Sequence, residues 1–206
     1  MATRKRKRAY HHGDLRAALI SAATELLSEE GGERGISLTA AAARAGVSAA
    51  APYRHFADKE ALLAAVAEAG FRRLRDALAE AAAARAGLER LAAVGAAYVK
   101  FAREAPASFR LMFGADVDKL RHPSLLEAAF AALGTLLAVV SEAQGAGVLA
   151  GDDPSRVAVP LWGLVHGLAT LQASGTLQMP GLAAHAGDDG FGALMMLLRG
   201  AGQPPG

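Results

Sequence analysis

Residues 37–59 read SLTAAAARAGVSAAAPYRHFADK, and the rest of the chain is organised around them. The alanine-rich piece from Leu38 to Ala45 favours a helix, with Ser37 in the position of an N-cap. Gly46 follows where a helix C-terminus requires a left-handed residue, a conformation glycine adopts without a Cβ clash. Val47 then turns inward, and Ser48 caps a second helix carrying AAAPYRHF. Ala42 and Ala45 are small enough for two helices to cross closely and steeply, as in a helix-turn-helix. Asp58 caps the next helix, which Lys59 and Glu60 open.

The order Ala45-Gly46-Val47-Ser48, Tyr53-Arg54-His55-Phe56, Lys59-Glu60-Ala61-Leu62 resembles the N-terminal DNA-binding domain of the TetR family of bacterial regulators. The resemblance implies contacts to DNA phosphates or grooves from Tyr53, His55 and Lys59. Their hydroxyl, imidazole and ammonium groups are suitable donors to phosphate oxygens. Phe56 is core. Thr39 and Arg44 on the preceding helix are further contact candidates, as are Ser48, Ala49, Ala50 and Arg54. The family often carries a glycine and a threonine ahead of a leucine before the tyrosine, whereas this chain has Ala49-Ala50-Ala51-Pro52. Alanines offer base edges only methyl contacts, so direct readout is expected to be sparse. Specificity then leans on Thr39, Tyr53, Arg54, the N-terminal arm and DNA shape. Pro52, lacking an N–H, delays or loosens the start of its helix.

Charge is distributed to match. Residues 1–60 hold ten Lys/Arg against seven Asp/Glu, and residues 61–206 hold twelve against thirteen. The run Arg4-Lys5-Arg6-Lys7-Arg8 supplies the N-terminal excess, as a phosphate-binding region needs. Residues 1–12 read as a basic arm, disordered when free and ordering on DNA. His11 and His12, without further ligands, do not make a metal site.

The 206-residue chain reads as all-α, with few aromatics and few β-branched runs. Leu15, Leu19, Ala22 and Leu26 mark the buried face of a helix over residues 14–30. A long helix over residues 58–84 carries an i, i+4 stripe of Leu62, Val66, Gly70, Leu74 and Leu78. Further helices follow after Gly87, around ASFRLMFG, from a Ser124 cap to about Gly145, after Asp152-Asp153-Pro154, and over residues 191–198. The expected organisation is a basic arm at 1–12, a DNA-binding domain at 13–60, an effector-binding and dimerisation domain at 61–200, and a tail at 201–206.

Several classes are excluded or disfavoured. The chain has no cysteine, so disulfides, thiolate metal sites and a thiol nucleophile are absent, and a reducing cytoplasm fits. The basic start is followed by YHHGDLR rather than an apolar run, so no signal peptide is expected. The apolar stretches at 128–140 and 157–173 are short or interrupted, and no membrane span is expected. Paired carboxylates, a Ser/His/Asp arrangement, a phosphate-cradling loop and metal-ligand spacing are all missing, so neither an enzyme nor a cofactor is expected. A helical enzyme with His166 in its pocket remains the alternative.

The TetR resemblance extends, more loosely, to Trp162-Gly163-Leu164-Val165-His166-Gly167, similar to a Trp–His–Gly signature in one subgroup's C-terminal domain. It implies a homodimer on a palindromic double-stranded DNA operator, with a four-helix interface built from helices near 155–174 and 191–199. It also implies an unknown small-molecule effector that shifts the two recognition elements through the helix at 58–84. Repression is the default and activation the alternative. Tyr98, Phe101, Phe109, Met112, Phe113 and Phe130 are candidates to line an apolar effector pocket, with plain core as the competing reading. Trp162 and His166, one helical turn apart, line either that pocket or the dimer interface.

Overall fold

The computed structural model describes residues 12–29, 32–179 and 181, and the expectations for the arm at 1–11, the helix at 191–198 and the tail lie outside them. The described residues form seven α-helices and no strand: α1 His12–Leu27, α2 Leu38–Arg44, α3 Lys59–Ala83, α4 Gly87–Glu104, α5 Pro106–Phe113, α6 Pro123–Gly145 and α7 Pro154–Ala173. Short 3-10 turns occupy Gly32–Gly35, Pro52–Arg54, Lys119–Arg121 and Thr176–Gln178. The chain divides into two compact units between Val66 and Ala67, a division that falls inside α3.

In the first unit α1 packs on α2. The buried face of α1 is turned slightly from the expected stripe: Leu19, Ala22, Ala23 and Leu27 are buried, while Leu15 and Leu26 are only half-buried. α1 also begins earlier than expected, at His12. Ser37 caps α2, its Oγ accepting from the Ala40 amide at 3.0 Å. The end of α2 is a Schellman motif. The Val47 amide donates to the Ala42 carbonyl at 3.0 Å and the Gly46 amide to Ala43 at 3.1 Å. Gly46 has φ +70° and an open space where a Cβ would stand. Gly46→Ala is therefore expected to cost about 1 kcal/mol through backbone strain alone. A chemical-denaturation midpoint unchanged by that substitution would contradict it.

After this turn the expected second helix does not form as an α-helix. Ala51 donates to Ser48, Arg54 to Ala51 and His55 to Pro52, a series of three-residue closures. Pro52 explains it: with no N–H it cannot bond the Ser48 carbonyl, so the segment tightens into the 3-10 turn Pro52–Arg54. Pro52 and Phe56 are buried, and the Arg16 guanidinium lies over the Phe56 ring at 5.6 Å. Asp58 Oδ1 accepts from the Ala61 amide at 2.8 Å as α3 begins.

In the second unit α4, α6 and α7 pack on one another, with α5 against α4 and α7. The α3 stripe continues inward, with Leu74 and Leu78 buried. At Gly70 a Cβ would stand 2.6 Å from the Met112 Sδ, so this glycine lets α5 approach α3. Asp153 caps α7, its Oδ1 accepting from the Ser155 amide at 2.9 Å. The Ser155 hydroxyl, donating to the same oxygen at 2.6 Å, and then this amide hold the Asp153 carboxyl below the usual range.

Ser124 does not cap α6. His122 occupies the cap position and Pro123 the first turn. The Ser124 hydroxyl instead donates to Glu68 Oε2 on α3 at 2.8 Å. Glu68 also pairs with Arg72, which is how a carboxylate only 8% exposed is accommodated. α6 is long and apolar enough to cross a membrane by length and composition, with mean hydropathy 1.8. A core helix meets the same criterion, and α6 buries Leu125, Ala128, Leu136 and Val140 against its neighbours.

Candidate functional site

Two places gather the residues singled out in the sequence, one in each unit. In the first unit, Thr39, Ser48, Ala49, Ala50, Tyr53, Arg54 and Lys59 are all exposed. Tyr53 is 58% exposed, a large outlay of apolar surface for a residue with no core role. His55 is half-buried, its ring 6.5 Å from Phe56 and tilted to it. Thr39 shares a hydroxyl hydrogen bond with Ser37 at 3.0 Å. Arg44 is committed elsewhere: it pairs with Glu29 at 2.6 Å and Glu25 at 3.4 Å, bracing α2 against α1. These two carboxylates raise its already high pKa. Arg44 would have to leave both partners to hold a phosphate, which makes it the weakest of the contact candidates.

In the second unit, α3, α4, α6 and α7 enclose a cavity of about 300 Å³. That is the lower end of the roughly 300–1,000 Å³ range of small-molecule pockets. Its wall is almost wholly apolar: Phe71, Leu74 and Leu78 from α3; Leu91 and Val94 from α4; Leu126, Ala132, Leu133 and Leu136 from α6; Leu161 and Val165 from α7. Of the residues expected to line a pocket, Tyr98, Phe113, Phe130 and Trp162 do so. Phe130 is 63% exposed and so stands at the mouth.

Phe101, Phe109, Met112 and His166 are not in the wall. Phe101 is covered by the Arg73 guanidinium at 5.7 Å from its ring, and Met112 is spent filling the space above Gly70. Phe109 and His166 form a layer just behind the wall. The His166 ring lies 4.6 Å from Phe113, 5.4 Å from Phe109 and 5.6 Å from Trp162. The α3 stripe and α6 were legible as buried faces, but nothing in their periodicity marked them as bordering empty space. Lys119, the one charged wall residue among the described residues, carried no signal at all in its polar loop.

Tyr98, Trp162 and His166 are joined by hydrogen bonds. Trp162 Nε1 donates to the Tyr98 oxygen at 3.3 Å, and that oxygen is 2.8 Å from His166 Nδ1. An indole N–H only donates. The Tyr98 O–H, in a residue 5% exposed, has Nδ1 as its acceptor when His166 carries its proton on Nε2, and with that tautomer the donors run one way, Trp162 to Tyr98 to His166. Burial acts in the same sense on both titrating members. It pushes the Tyr98 phenol up, so that it keeps its proton, and the His166 imidazole down, so that it stays neutral. Among the described residues His166 pairs with no carboxylate, and no group of three His, Asp or Glu could hold a metal ion.

Comparison with known proteins agrees with this division. The family model described as "Bacterial regulatory proteins, tetR family" matches residues 19–66, and "Tetracyclin repressor-like, C-terminal domain" matches residues 91–198. A Rhodococcus sp. RHA1 protein of unknown function is similar in structure, with TM-score 0.79 and 37% identity over 94% of this chain and 98% of its own. FadR from Bacillus subtilis, solved in complex with stearoyl-CoA, shares the fold at TM-score 0.69 and 19% identity over 88% of this chain and 96% of its own. A TetR/AcrR-family regulator from Thermobifida fusca does so at TM-score 0.59 and 23% identity, over 78% of this chain and 85% of its own. A search of curated protein sequences finds no significant match. With a helix-turn-helix in the first unit, an apolar cavity in the second, and family matches in both, the chain belongs to the TetR family of DNA-binding transcriptional regulators.

Proposed function

We propose that this protein is a cytoplasmic repressor that binds a palindromic operator as a homodimer and is released by a small apolar effector. The cavity carries this reading. A hydrophobic void of ligand size costs packing energy. Its wall includes Phe71, Leu74 and Leu78 of α3, the same continuous helix whose first turns belong to the DNA-binding unit. An occupant that favours one setting of α3 then changes DNA affinity, provided it binds the DNA-incompetent state more tightly. The fold shared with FadR, solved with stearoyl-CoA, is in keeping with an apolar occupant.

The dimer is assigned to α7 together with residues 191–199. α7 leaves Val159 (48%), Leu164 (56%) and Leu171 (44%) exposed. Gly163 and Gly167 lie on the same exposed side, with nothing within 4 Å of a Cβ at either. An apolar ridge with small residues between its knobs suits close helix packing. Two short reading elements related by a two-fold axis then address two half-sites.

The DNA-contact assignment is Tyr53, His55 and Lys59 on phosphates or groove edges, with Thr39, Arg54, Ser48, Ala49 and Ala50 beside them. Fluorescence anisotropy on duplex from the gene's own upstream region tests it, with random duplex as competitor at two salt concentrations. Tyr53→Ala is expected to weaken specific binding by about 1 kcal/mol, five- to tenfold. Lys59→Ala is expected to weaken specific and random DNA alike and lower the salt slope by about one unit. Wild-type affinity in both variants would remove the interface from this surface.

A further inference from the structure

We propose that the effector is an amphiphile, an apolar chain or ring system bearing a single anionic head group, and that Lys119 holds that head group. The inference rests on the effector reading above and concerns the chemistry of the occupant. Among the described residues, the interior of the cavity offers nothing polar to bind beyond the side chains that already hold one another. Its polar wall side chains, apart from Lys119, are Tyr98 and Trp162, and these satisfy one another: the indole N–H is spent on the Tyr98 oxygen and the Tyr98 O–H on His166. A polar group buried among the leucines of α3, α4 and α6 would leave its water behind with no compensation.

Lys119 is different. It is half-buried, and its Nζ donates to the Gly114 carbonyl at 3.1 Å, which uses one of three N–H donors. Among the described residues it makes no ion pair, although Asp118 is its neighbour in the chain. The Asp118 carboxylate is occupied instead by the Leu120 amide at 3.0 Å, capping the turn that carries Lys119. A half-buried cation at an apolar wall, held by one carbonyl and with its adjacent carboxylate committed elsewhere, keeps two further N–H donors and, among the described residues, no ion pair. A carboxylate is the partner that satisfies both.

Size sets the length of a probe. At roughly 30 Å³ for each water-sized position in a liquid, about 300 Å³ holds on the order of ten such positions. Decanoate and 1-decanol are therefore a matched pair that differ in the head group. The chain has a single tryptophan, and it stands in the wall, so Trp162 emission reports occupancy directly.

Titration of the full-length protein is expected to show decanoate binding about tenfold more tightly than decanol. Lys119→Met should bring decanoate to the level of decanol and leave decanol unchanged, and Lys119→Arg should keep the preference. Equal binding of the two ligands to the wild type would overturn the head-group assignment while leaving the cavity reading intact. So would a Lys119→Met variant that loses both ligands alike, because the lysine would then be holding the wall and not the ligand. Failure of both ligands to change Trp162 emission, at any accessible concentration, would overturn the assignment and the cavity reading together.

Discussion

Ala132→Phe is expected to make the protein more stable and, at the same time, deaf to its effector. Ala132 is 5% exposed on α6 and is one of the residues lining the cavity. A phenyl ring placed there grows into empty, apolar space. Filling a void commonly stabilises by about 0.5–2 kcal/mol. The same ring takes the volume an occupant needs. Effector affinity should fall by about two orders of magnitude, since each factor of ten corresponds to about 1.4 kcal/mol. DNA binding without effector separates two outcomes: it should hold where the ring fills the void with α3 in the DNA-competent setting, and fall where the ring acts on α3 as an occupant does. Thermal unfolding and effector titration of the protein–DNA complex measure the two effects on one sample. A raised midpoint with a normal effector response would mean that the effector binds elsewhere. A lowered midpoint would mean overpacking, which costs about 1–3 kcal/mol, and hence that the void is already occupied by moving side chains.

What could be read from the sequence, and what could not, divides along the reach of the interactions. Ser37, Gly46, Asp58 and Asp153 act on backbone groups within three or four residues, and each takes the local role its chemistry suggests. Ser124 has the same local chemistry but a better partner far away. Glu68 is a buried carboxylate in need of donors, and it takes the Ser124 hydroxyl across 56 positions of sequence. Pro52 shows how one residue alters an otherwise sound motif: the order of residues in 45–56 identifies the helix-turn-helix, while the missing N–H reshapes its second arm into a 3-10 turn. The cavity was the least legible feature. Helical periodicity places Phe101, Phe109 and Met112 on buried faces as surely as Phe113 or Val94, yet it cannot tell a buried face that meets another side chain from one that meets nothing. That distinction is set by crossing distances between α3, α4, α6 and α7. It depends on such details as the close approach of Met112 to Gly70.

Tyr98→Phe is expected to cost about 2 kcal/mol while leaving every ring contact in place. Tyr98 is 5% exposed and packs edge-on against Phe109 at 5.7 Å. Phenylalanine preserves this and deletes only the oxygen. Two groups are then orphaned: the Trp162 N–H loses its acceptor and His166 Nδ1 its donor. The pH dependence gives the network a signature of its own. Burial lowers the His166 pKa in the folded state, so unfolding takes up a proton in the window just below the unfolded value of about 6.5. The contribution of neutral His166 is therefore complete above about pH 6.5 and declines as pH falls through the lowered folded value. Tyr98 has the opposite sign: its folded pKa is raised, so its contribution is complete below about pH 10 and is lost as pH rises beyond. Unfolding midpoints should form a plateau between these limits, with a shoulder on each side. Tyr98→Phe should lower the plateau and remove its alkaline shoulder. His166→Gln, which keeps an acceptor for the Tyr98 O–H but cannot titrate, should retain most of the plateau and flatten the acid shoulder. Should Tyr98→Phe instead reproduce the wild-type curve, plateau and both shoulders included, the one-way chain from Trp162 through Tyr98 to His166 would carry no weight in holding α4 to α7.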